Sequence, residues 1–231
     1  MAATSDPVLL VTGASSGIGA ASARAAAEAG WRVALAARSV DRLERLAAEL
    51  GGPERAIAVG CDVTDFASQQ AMVARTVEVF GTLDAVFANA GIGSRPGMSR
   101  EPPEQWRELV LTNVLGPAFT VRAALQTLER TRGHLILTGS LAARFIQPGS
   151  LYSATKAAVA TIAETTRAAV VGTGVRVTLL SPGVVDTPLF ARPPKVSLTA
   201  EDIARAVVYA ISQPAHVDLG EIALRPLSPP A

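Results

Sequence analysis

Short apolar runs alternate with longer helix-forming segments along the whole chain. The apolar runs are Pro7–Thr12, Arg32–Ala37, Ala56–Val59, Asp84–Ala88, His134–Thr138, Val175–Leu180 and Glu221–Leu224. The segments with helical spacing are Gly17–Ala29, Val40–Leu50, Phe66–Phe80, Pro103–Arg130 (bent or divided at Gly116–Pro117), Leu151–Val171 and Ala200–Ser212. Alternating strands and helices predict βαβ units, and strands that are apolar throughout are typical of a parallel sheet covered on both faces.

Length and composition fit one globular unit. The chain has 231 residues, of which 49% are hydrophobic and 18% charged. That is enough chain for one sizeable core and short for two. Because no repeat or interdomain linker interrupts the pattern, we predict a single domain over residues 1–231, with a short Pro-rich tail from about residue 226.

Charge and cysteine content exclude several classes of protein. Lys and Arg number 21 against 20 Asp and Glu, and a net charge of +1 argues against binding to nucleic acid or to an acidic membrane. The single cysteine, Cys61, cannot form an intramolecular disulfide. The start of the chain lacks signal-peptide features, and no apolar stretch reaches the ~18 residues of a membrane span. We predict a cytoplasmic protein without a metal site.

The first predicted strand ends in a glycine-rich turn, TGASSGIG, that leads into an Ala-rich helix. Glycine at such a turn lets the backbone approach a pyrophosphate, and the helix N-terminus offers N–H groups and a favourable dipole to the anion. A tight turn that only packs helix against strand is the alternative. We predict a nucleotide site that includes Gly13, Ser15, Ser16, Gly17, Ile18 and Gly19.

The end of the second strand bears on the choice of cofactor. NAD-dependent dehydrogenases usually place an acidic residue there to bind the ribose 2′-OH. Here Ala37 takes that place and is followed by Arg38 and Ser39. A guanidinium offers two parallel donors to a 2′-phosphate, so we predict NADP over NAD. A solvated Arg38 at a strand end is the alternative.

Other strand ends supply further candidates for the same groove. Asp62 and Val63 would lie beside an adenine, and Asn89, Ala90 and Gly91 form a turn able to approach the cofactor. After the sixth run, the candidates are Pro182, Gly183, Val185 and Thr187. Open α/β sheets bind ligands in the crevice at the carboxyl ends of their strands, which is where these segments fall.

The motifs, taken in their order, resemble those of the short-chain dehydrogenase/reductase family. That order is TGASSGIG, NAG, Asn113, Ser140 and YSATK, which ends in Lys156. The resemblance extends from Val8 to about Pro226 and implies a Rossmann-type doubly wound sheet, usually of seven parallel strands, which matches the seven runs. The ending Gln213–Pro226 is similar to an NADP-preferring branch that includes 3-hydroxy acid and serine dehydrogenases.

The resemblance also implies a catalytic set, formed by Asn113, Ser140, Tyr152 and Lys156. Residues four apart share a helix face, and a neighbouring ammonium should lower the pKa of the Tyr152 phenol. Tyr152 would then exchange a proton with the substrate oxygen, and Ser140 would hydrogen-bond that oxygen. Lys156 would hold the nicotinamide ribose beside Tyr152, and Asn113 would support a water that links Lys156 to solvent.

Each of these residues also has an ordinary structural interpretation. Tyr152 could pack against the sheet, Lys156 could extend to solvent from a surface helix, and Ser140 could cap a turn. Ser140 and Tyr152 are twelve positions apart, one fewer than in many family members, so the loop between them should be tighter.

The expected function is an NADP(H)-dependent oxidoreductase that interconverts a secondary alcohol and a ketone. The alternatives are a 3-oxoacyl or 3-hydroxy acid reductase of narrow specificity and a non-catalytic NADP-binding sensor. Candidate substrate-lining residues are Gly93–Met98, Leu141, Phe145, Gln147, Val184, Leu189 and Phe190, with Arg95, Arg144 and Gln147 as possible polar anchors.

The segment Ala157–Ala163 is small or apolar on nearly every side, which is typical of a buried helix. One side of this helix can pack on the sheet, and the other side would be buried by a second subunit. The family commonly associates through this helix and the one that begins near Pro103. We therefore predict a homodimer or homotetramer.

Overall fold

The computed structural model describes residues 6–93, 101–145, 148–188 and 196–227. Its strands are β1 (Val8–Thr12), β2 (Arg32–Ala37), β3 (Ala56–Gly60), β4 (Ala85–Ala88), β5 (His134–Thr138), β6 (Arg176–Pro182) and β7 (Glu221–Leu224). Its α-helices are α1 (Gly17–Glu28), α2 (Val40–Glu49), α3 (Phe66–Phe80), α4 (Pro103–Val110), α5 (Gly116–Thr131), α6 (Leu151–Ala169) and α7 (Ala200–Ile211). A π-helical turn (Leu111–Leu115) joins α4 to α5, and a short 3-10 helix spans Leu141–Ala143.

All seven strands form one parallel sheet in the order β3-β2-β1-β4-β5-β6-β7. The chain winds outward from β1 to β3 and then returns to the centre at β4. The order therefore reverses between β1 and β4, and a crevice opens at the carboxyl ends of these two strands. The predicted Rossmann-type doubly wound sheet is confirmed.

Strands at the centre of the sheet are buried on both faces. In β1, Val8 and Leu10 face one core, while Leu9 and Val11 face the other, and all four are fully buried. The first core is completed by residues of α3, α5 and α6, among them Met72, Ala124 and Val159. The second is completed by residues of α1, α2 and α7, among them Ala23, Leu43 and Ile203. Helices thus cover both faces, as the continuous apolar runs predicted.

The long predicted helix is divided next to Gly116–Pro117, one of the two outcomes expected there. The chain widens into the π-helical turn over Leu111–Leu115 and resumes as α5 at Gly116. Pro117 has no N–H to donate to the Asn113 carbonyl, and its ring would collide with that carbonyl in a regular helix. The distortion therefore occurs in the turn that precedes the proline and contains Asn113.

Within these described ranges, none of the helices combines the length and the apolar character needed to cross a membrane.

Candidate active site

The glycine-rich turn lies between β1 and α1, at the carboxyl edge of the sheet. Gly13 has a φ of +68°, and a Cβ there would lie 2.9 Å from the Cα of Ala90. A Cβ on Gly19 would lie 2.3 Å from the carbonyl oxygen of Gly13. Backbone segments this close leave no space for a side chain at either position. The two glycines are therefore required by the packing of the turn itself.

The beginning of α1 fits an anionic group. Ser16 is the N-cap residue, but its side chain makes no capping hydrogen bond, and the first turn contains no acidic residue. The first N–H groups of a helix lack partners within it, and the helix dipole there is positive. Ser15, Ser16, Gly17 and Ile18 are partly exposed at this point. These residues fit the pyrophosphate of a dinucleotide.

Thr12 is a site residue that the sequence did not reveal. It is buried at the end of β1, and its Oγ1 accepts hydrogen bonds from the N–H groups of Asn89 and Ala90, at 3.0 and 3.1 Å. The Asn89 Nδ2 donates to the Thr12 carbonyl at 3.0 Å. Thr12 thus fixes the loop after β4 against the glycine turn. The available signal was a hydroxyl directly before Gly13 in an otherwise apolar strand.

The ends of β2 and β3 lie side by side, since Ala37 pairs with Gly60. Arg38 and Ser39 are exposed there, and the Ser39 side chain makes no capping hydrogen bond to α2. The N–H and the hydroxyl of Thr64 bind the Asp62 carboxylate at 2.9 and 2.7 Å. These bonds hold the pKa of Asp62 below its ordinary value, and the positive charge of Arg38 acts in the same direction.

Lys156 is buried on α6, with only 4% of its surface exposed. Its Nζ donates to the Thr138 carbonyl oxygen at 2.8 Å and lies 5.7 Å from the centre of the Tyr152 ring. A Cβ on Gly91 would be 3.6 Å from the same nitrogen, so the amine lies between the ends of β4 and β5. Burial lowers the pKa of Lys156 from 10.5 to about 8, and the ammonium therefore persists at neutral pH.

Tyr152 and Ser140 lie together beside Lys156. Burial raises the pKa of Tyr152, and hydrogen bonding to the Ser140 side chain lowers it to a smaller extent. The prediction that the neighbouring amine lowers the phenol pKa below its ordinary value was wrong, because burial disfavours the phenolate and the opposing contribution comes from Ser140. Ser140 Oγ also accepts from the Ala142 N–H at 3.1 Å and lies 3.4 Å from the Pro182 carbonyl oxygen.

Asn113 is buried in the π-helical turn, and its carboxamide joins three segments. Its Oδ1 accepts from the Ile92 N–H, and its Nδ2 donates to the Ile92 carbonyl, both at 2.9 Å. The same Nδ2 lies 3.3 Å from Thr155 Oγ1, which in turn donates to the Tyr152 carbonyl at 2.7 Å. Thr155 was missed as a site residue, although its place inside YSATK was a signal.

The loop after β6 reaches the glycine turn. Thr187 packs on Gly17: a Cβ added to Gly17 would lie 3.3 Å from the Thr187 side chain. The Gly183 N–H donates to the Leu224 carbonyl at 2.7 Å, so it is not available to a ligand carboxamide. Val185 is buried and pairs with Leu198. Of the four predicted residues of this loop, Thr187 therefore lies nearest the nucleotide crevice.

The predicted substrate side is described in part. Leu141 begins the 3-10 helix after Ser140, and Phe145 is 65% exposed at its far end. Arg144 forms an ion pair with Glu221, so its guanidinium already has a partner. Gly93 and Val184 lie in the loops that follow β4 and β6, in exposed and partly exposed positions. Residues 94–98 (Arg95 included), Gln147, Leu189 and Phe190 lie outside the described residues.

In the described part of the chain, no three His, Cys, Asp or Glu side chains are grouped so that they could hold a metal ion.

Comparisons with known proteins agree with this arrangement. The family profile described as short chain dehydrogenase matches residues 7–195. An uncharacterized oxidoreductase of Staphylococcus haemolyticus is 38% identical over 225 residues, which cover 95% of this chain and 97% of that protein.

Two solved structures share the fold over nearly their whole length. An alcohol dehydrogenase from the archaeon Thermococcus sibiricus, complexed with 5-hydroxy-NADP, superposes with a TM-score of 0.90 at 35% identity, covering 97% of this chain and 99% of that one. A 3-ketoacyl-(acyl-carrier-protein) reductase from Brucella melitensis, complexed with NADH, gives 0.89 at 26% identity, with coverages of 96% and 98%. The chain belongs to the short-chain dehydrogenase/reductase family of oxidoreductases.

Proposed function

We propose that this protein is an NADP(H)-dependent oxidoreductase that interconverts a secondary alcohol and a ketone. The observation that carries the proposal is the convergence of Ser140, Tyr152 and the buried Lys156 beside the glycine turn. Two hydroxyls and an ammonium at the carboxyl edge of the sheet form a proton-donating site next to an anion-binding helix terminus. Isolated packing residues would not require a buried amine at this point.

Tyr152 is the proton donor in this proposal. A bound nicotinamide supplies or accepts the hydride. Because burial keeps Tyr152 protonated at neutral pH, its hydroxyl is in the form that can donate a proton to a developing alkoxide. Ser140 Oγ hydrogen-bonds the same oxygen and stabilises its charge. The Lys156 ammonium stabilises the negative charge left on Tyr152 and contacts the ribose of the cofactor.

In this proposal Asn113 has two roles: its carboxamide positions neighbouring segments, and its backbone carbonyl binds a water. Its carboxamide is fully engaged with Ile92 and Thr155, so it orients the loop after β4 and the start of α6. Pro117 cannot donate to the Asn113 carbonyl, which leaves this oxygen without its regular helical partner. In our proposal that carbonyl holds a water connecting Lys156 to solvent.

The preference for NADP rests on Ala37, Arg38 and Ser39. A carboxylate at position 37 would repel a 2′-phosphate, and Ala37 does not. Arg38 and Ser39 are exposed where β2 and β3 end, on the proposed adenine side of the crevice. The Ser39 hydroxyl makes no capping hydrogen bond to α2, so it is available to a phosphate. Arg38 can bind a phosphate through two parallel N–H groups. Asp62, Val63, Asn89, Ala90, Gly91 and Thr187 would complete the same groove. Gly183 and Val185 contribute less, because they are engaged with Leu224 and Leu198.

Arg38→Asp should reverse the cofactor preference. We expect kcat/KM for NADPH to fall roughly 10- to 100-fold relative to NADH, because hydrogen bonds to a charged group contribute ~1.5–3 kcal/mol. Initial rates with each cofactor would measure the ratio. Arg45→Asp, an equal charge change at an exposed position of α2, is the matched control and should leave the ratio unchanged. An unaltered ratio in Arg38→Asp would exclude this residue as the phosphate ligand.

The proposed activity is tested by following NADPH oxidation with a panel of ketones, 3-oxoacyl thioesters and 3-oxo acids. Turnover of simple ketones supports the proposal. Turnover of the 3-oxo compounds alone would support the narrow reductase, which the likeness to the Brucella melitensis enzyme favours. NADPH binding without turnover of any compound would support the sensor.

We also propose that the chain forms a homodimer or homotetramer through α5 and α6. Outward-facing residues of α5 line a shallow groove that includes Val121 and Leu125, and α6 presents the small exposed residues Ala154 and Ala157 beside it. Small residues allow two helices to approach closely. Light scattering at micromolar concentration should give at least twice the mass of one chain, and a monomer would contradict the proposal.

We propose that residues 1–231 form one domain with a Pro-rich tail from about residue 226, because the two cores share a single sheet. A cytoplasmic location is supported by the single, buried Cys61.

A further inference from the structure

Gln69 has a fully buried side chain that joins three separate segments. Its Nε2 donates to the carbonyl oxygens of Val63 at 2.7 Å and of Gly116 at 2.8 Å. Its Oε1 accepts from the hydroxyl of Thr120 at 2.6 Å. A carboxamide near the beginning of helix α3 thus connects the loop after β3 with the beginning of α5.

The donors and acceptors of this cluster match. The amide nitrogen has two N–H groups, and each meets one of the two carbonyls. The Thr120 hydroxyl lies 2.6 Å from the remaining oxygen of the carboxamide and 3.0 Å from the Gly116 carbonyl oxygen, so its single proton is donated over the shorter distance, to Gln69. Turning the carboxamide over would place its oxygen against both carbonyls, so the cluster admits one orientation of Gln69. Every polar atom of this side chain is satisfied, as buried polar groups require.

The two backbone segments that Gln69 links, at Val63 and at Gly116, both belong to the proposed site. Val63 is the residue expected beside the adenine, and its side chain packs on Gly116, where a Cβ would lie 3.2 Å from Val63 Cγ2. Gly116 directly follows the π-helical turn, and its N–H closes that turn on the Leu111 carbonyl. Asn113 lies within the same turn. A displacement of the Gly116 carbonyl would therefore move the backbone that holds Asn113.

We propose that Gln69 is a positioning residue that holds the adenine side of the cofactor groove and the Asn113 turn in a fixed relation to each other. The proposal rests on the proposed function, because it takes Val63 as a cofactor contact. Through Asn113 the connection continues to Ile92 and Thr155, which border Lys156 and Tyr152. Binding of the nucleotide at one end and proton transfer at the other then depend on one buried carboxamide.

Gln69→Met tests this role, because Met has a similar volume but donates no hydrogen bond. We expect faster amide hydrogen exchange in residues 60–66 and also in residues 111–117 of the protein without ligand. The Kd for NADPH should rise roughly 5- to 30-fold, as the loss of one or two hydrogen bonds predicts, and kcat should fall as well. Thr76→Val is the matched control, because Thr76 is equally buried on α3 but bonds only the Met72 carbonyl.

The outcomes separate a positioning role from simple support of the fold. A lower unfolding midpoint with unchanged exchange in residues 111–117, and unchanged Kd and kcat in the folded protein, would overturn the inference. Thr120→Val removes the third partner, and its effects on Kd should be non-additive with those of Gln69→Met. If the wild-type protein binds no nicotinamide nucleotide, the proposed function fails, while the exchange measurements still decide whether Gln69 couples the two segments.

Discussion

Replacing Tyr152 by Phe should lower kcat for ketone reduction by about 10²- to 10⁴-fold, the usual contribution of a positioned acid–base group. The change removes one hydroxyl and keeps the ring, so packing around α6 should be preserved. The Kd for NADPH, followed by cofactor fluorescence, should stay within about threefold of the wild-type value, because a single neutral hydrogen bond contributes little net binding energy. Rates of NADPH oxidation at saturating ketone measure the loss.

The chain supplies its own control for this experiment. It contains one other tyrosine, Tyr209, which is 56% exposed on α7. Tyr209→Phe should be as active as the wild type. Wild-type turnover by Tyr152→Phe would remove this hydroxyl from the mechanism.

Lys156→Met should abolish measurable turnover and change how stability depends on pH. The folded protein binds the Lys156 proton with a pKa of about 8, whereas the ordinary value is 10.5. Between these two pH values the unfolded chain is protonated at this residue and the folded chain is not. The free energy of unfolding of the wild type should therefore rise with pH across this window, by ~3 kcal/mol from this group alone.

The variant lacks this contribution, so the difference in stability between the two proteins should change with pH. Below pH 8, both the folded and unfolded wild-type chains carry the proton, and the cost of burying the ammonium is fully present. Urea unfolding of both proteins at several pH values from 7 to 10.5 provides the measurement. The Thr138 carbonyl loses its donor in the variant, but this cost does not vary with pH. Parallel stability curves would mean that the folded protein does not perturb the Lys156 pKa.

Segments with strong local signals were predicted closely. The strand β5 (His134–Thr138) and the helix α3 (Phe66–Phe80) have the bounds read from the sequence. For α3 the reason is local, because the Asp65 carboxylate accepts from the N–H groups of Ala67 and Ser68 and fixes the first turn. Apolar runs between such signals were sufficient to predict a parallel sheet and its seven strands.

Features that depend on distant residues could not be predicted. The π-helical turn follows from Pro117, but its conformation also depends on Asn113 binding Ile92, twenty-one positions away. Thr12 bonds Asn89, and Gln69 bonds Gly116 and Thr120, all far along the chain, so no periodicity marks these two polar residues. The four-residue spacing correctly predicted that Tyr152 and Lys156 share a helix face. It could not predict the direction of the Tyr152 pKa shift, because that direction is set by burial.

We propose that Tyr152, with Ser140 and Lys156, transfers a proton to a carbonyl oxygen held beside bound NADPH. A crystal structure with NADP and a ketone would reveal this arrangement. We expect the hydroxyls of Tyr152 and Ser140 within about 2.6–3.2 Å of the ketone oxygen, and the nicotinamide C4 about 3–3.5 Å from the carbonyl carbon. A nucleotide bound away from the glycine turn, or a Tyr152 hydroxyl directed away from the ketone, would contradict it.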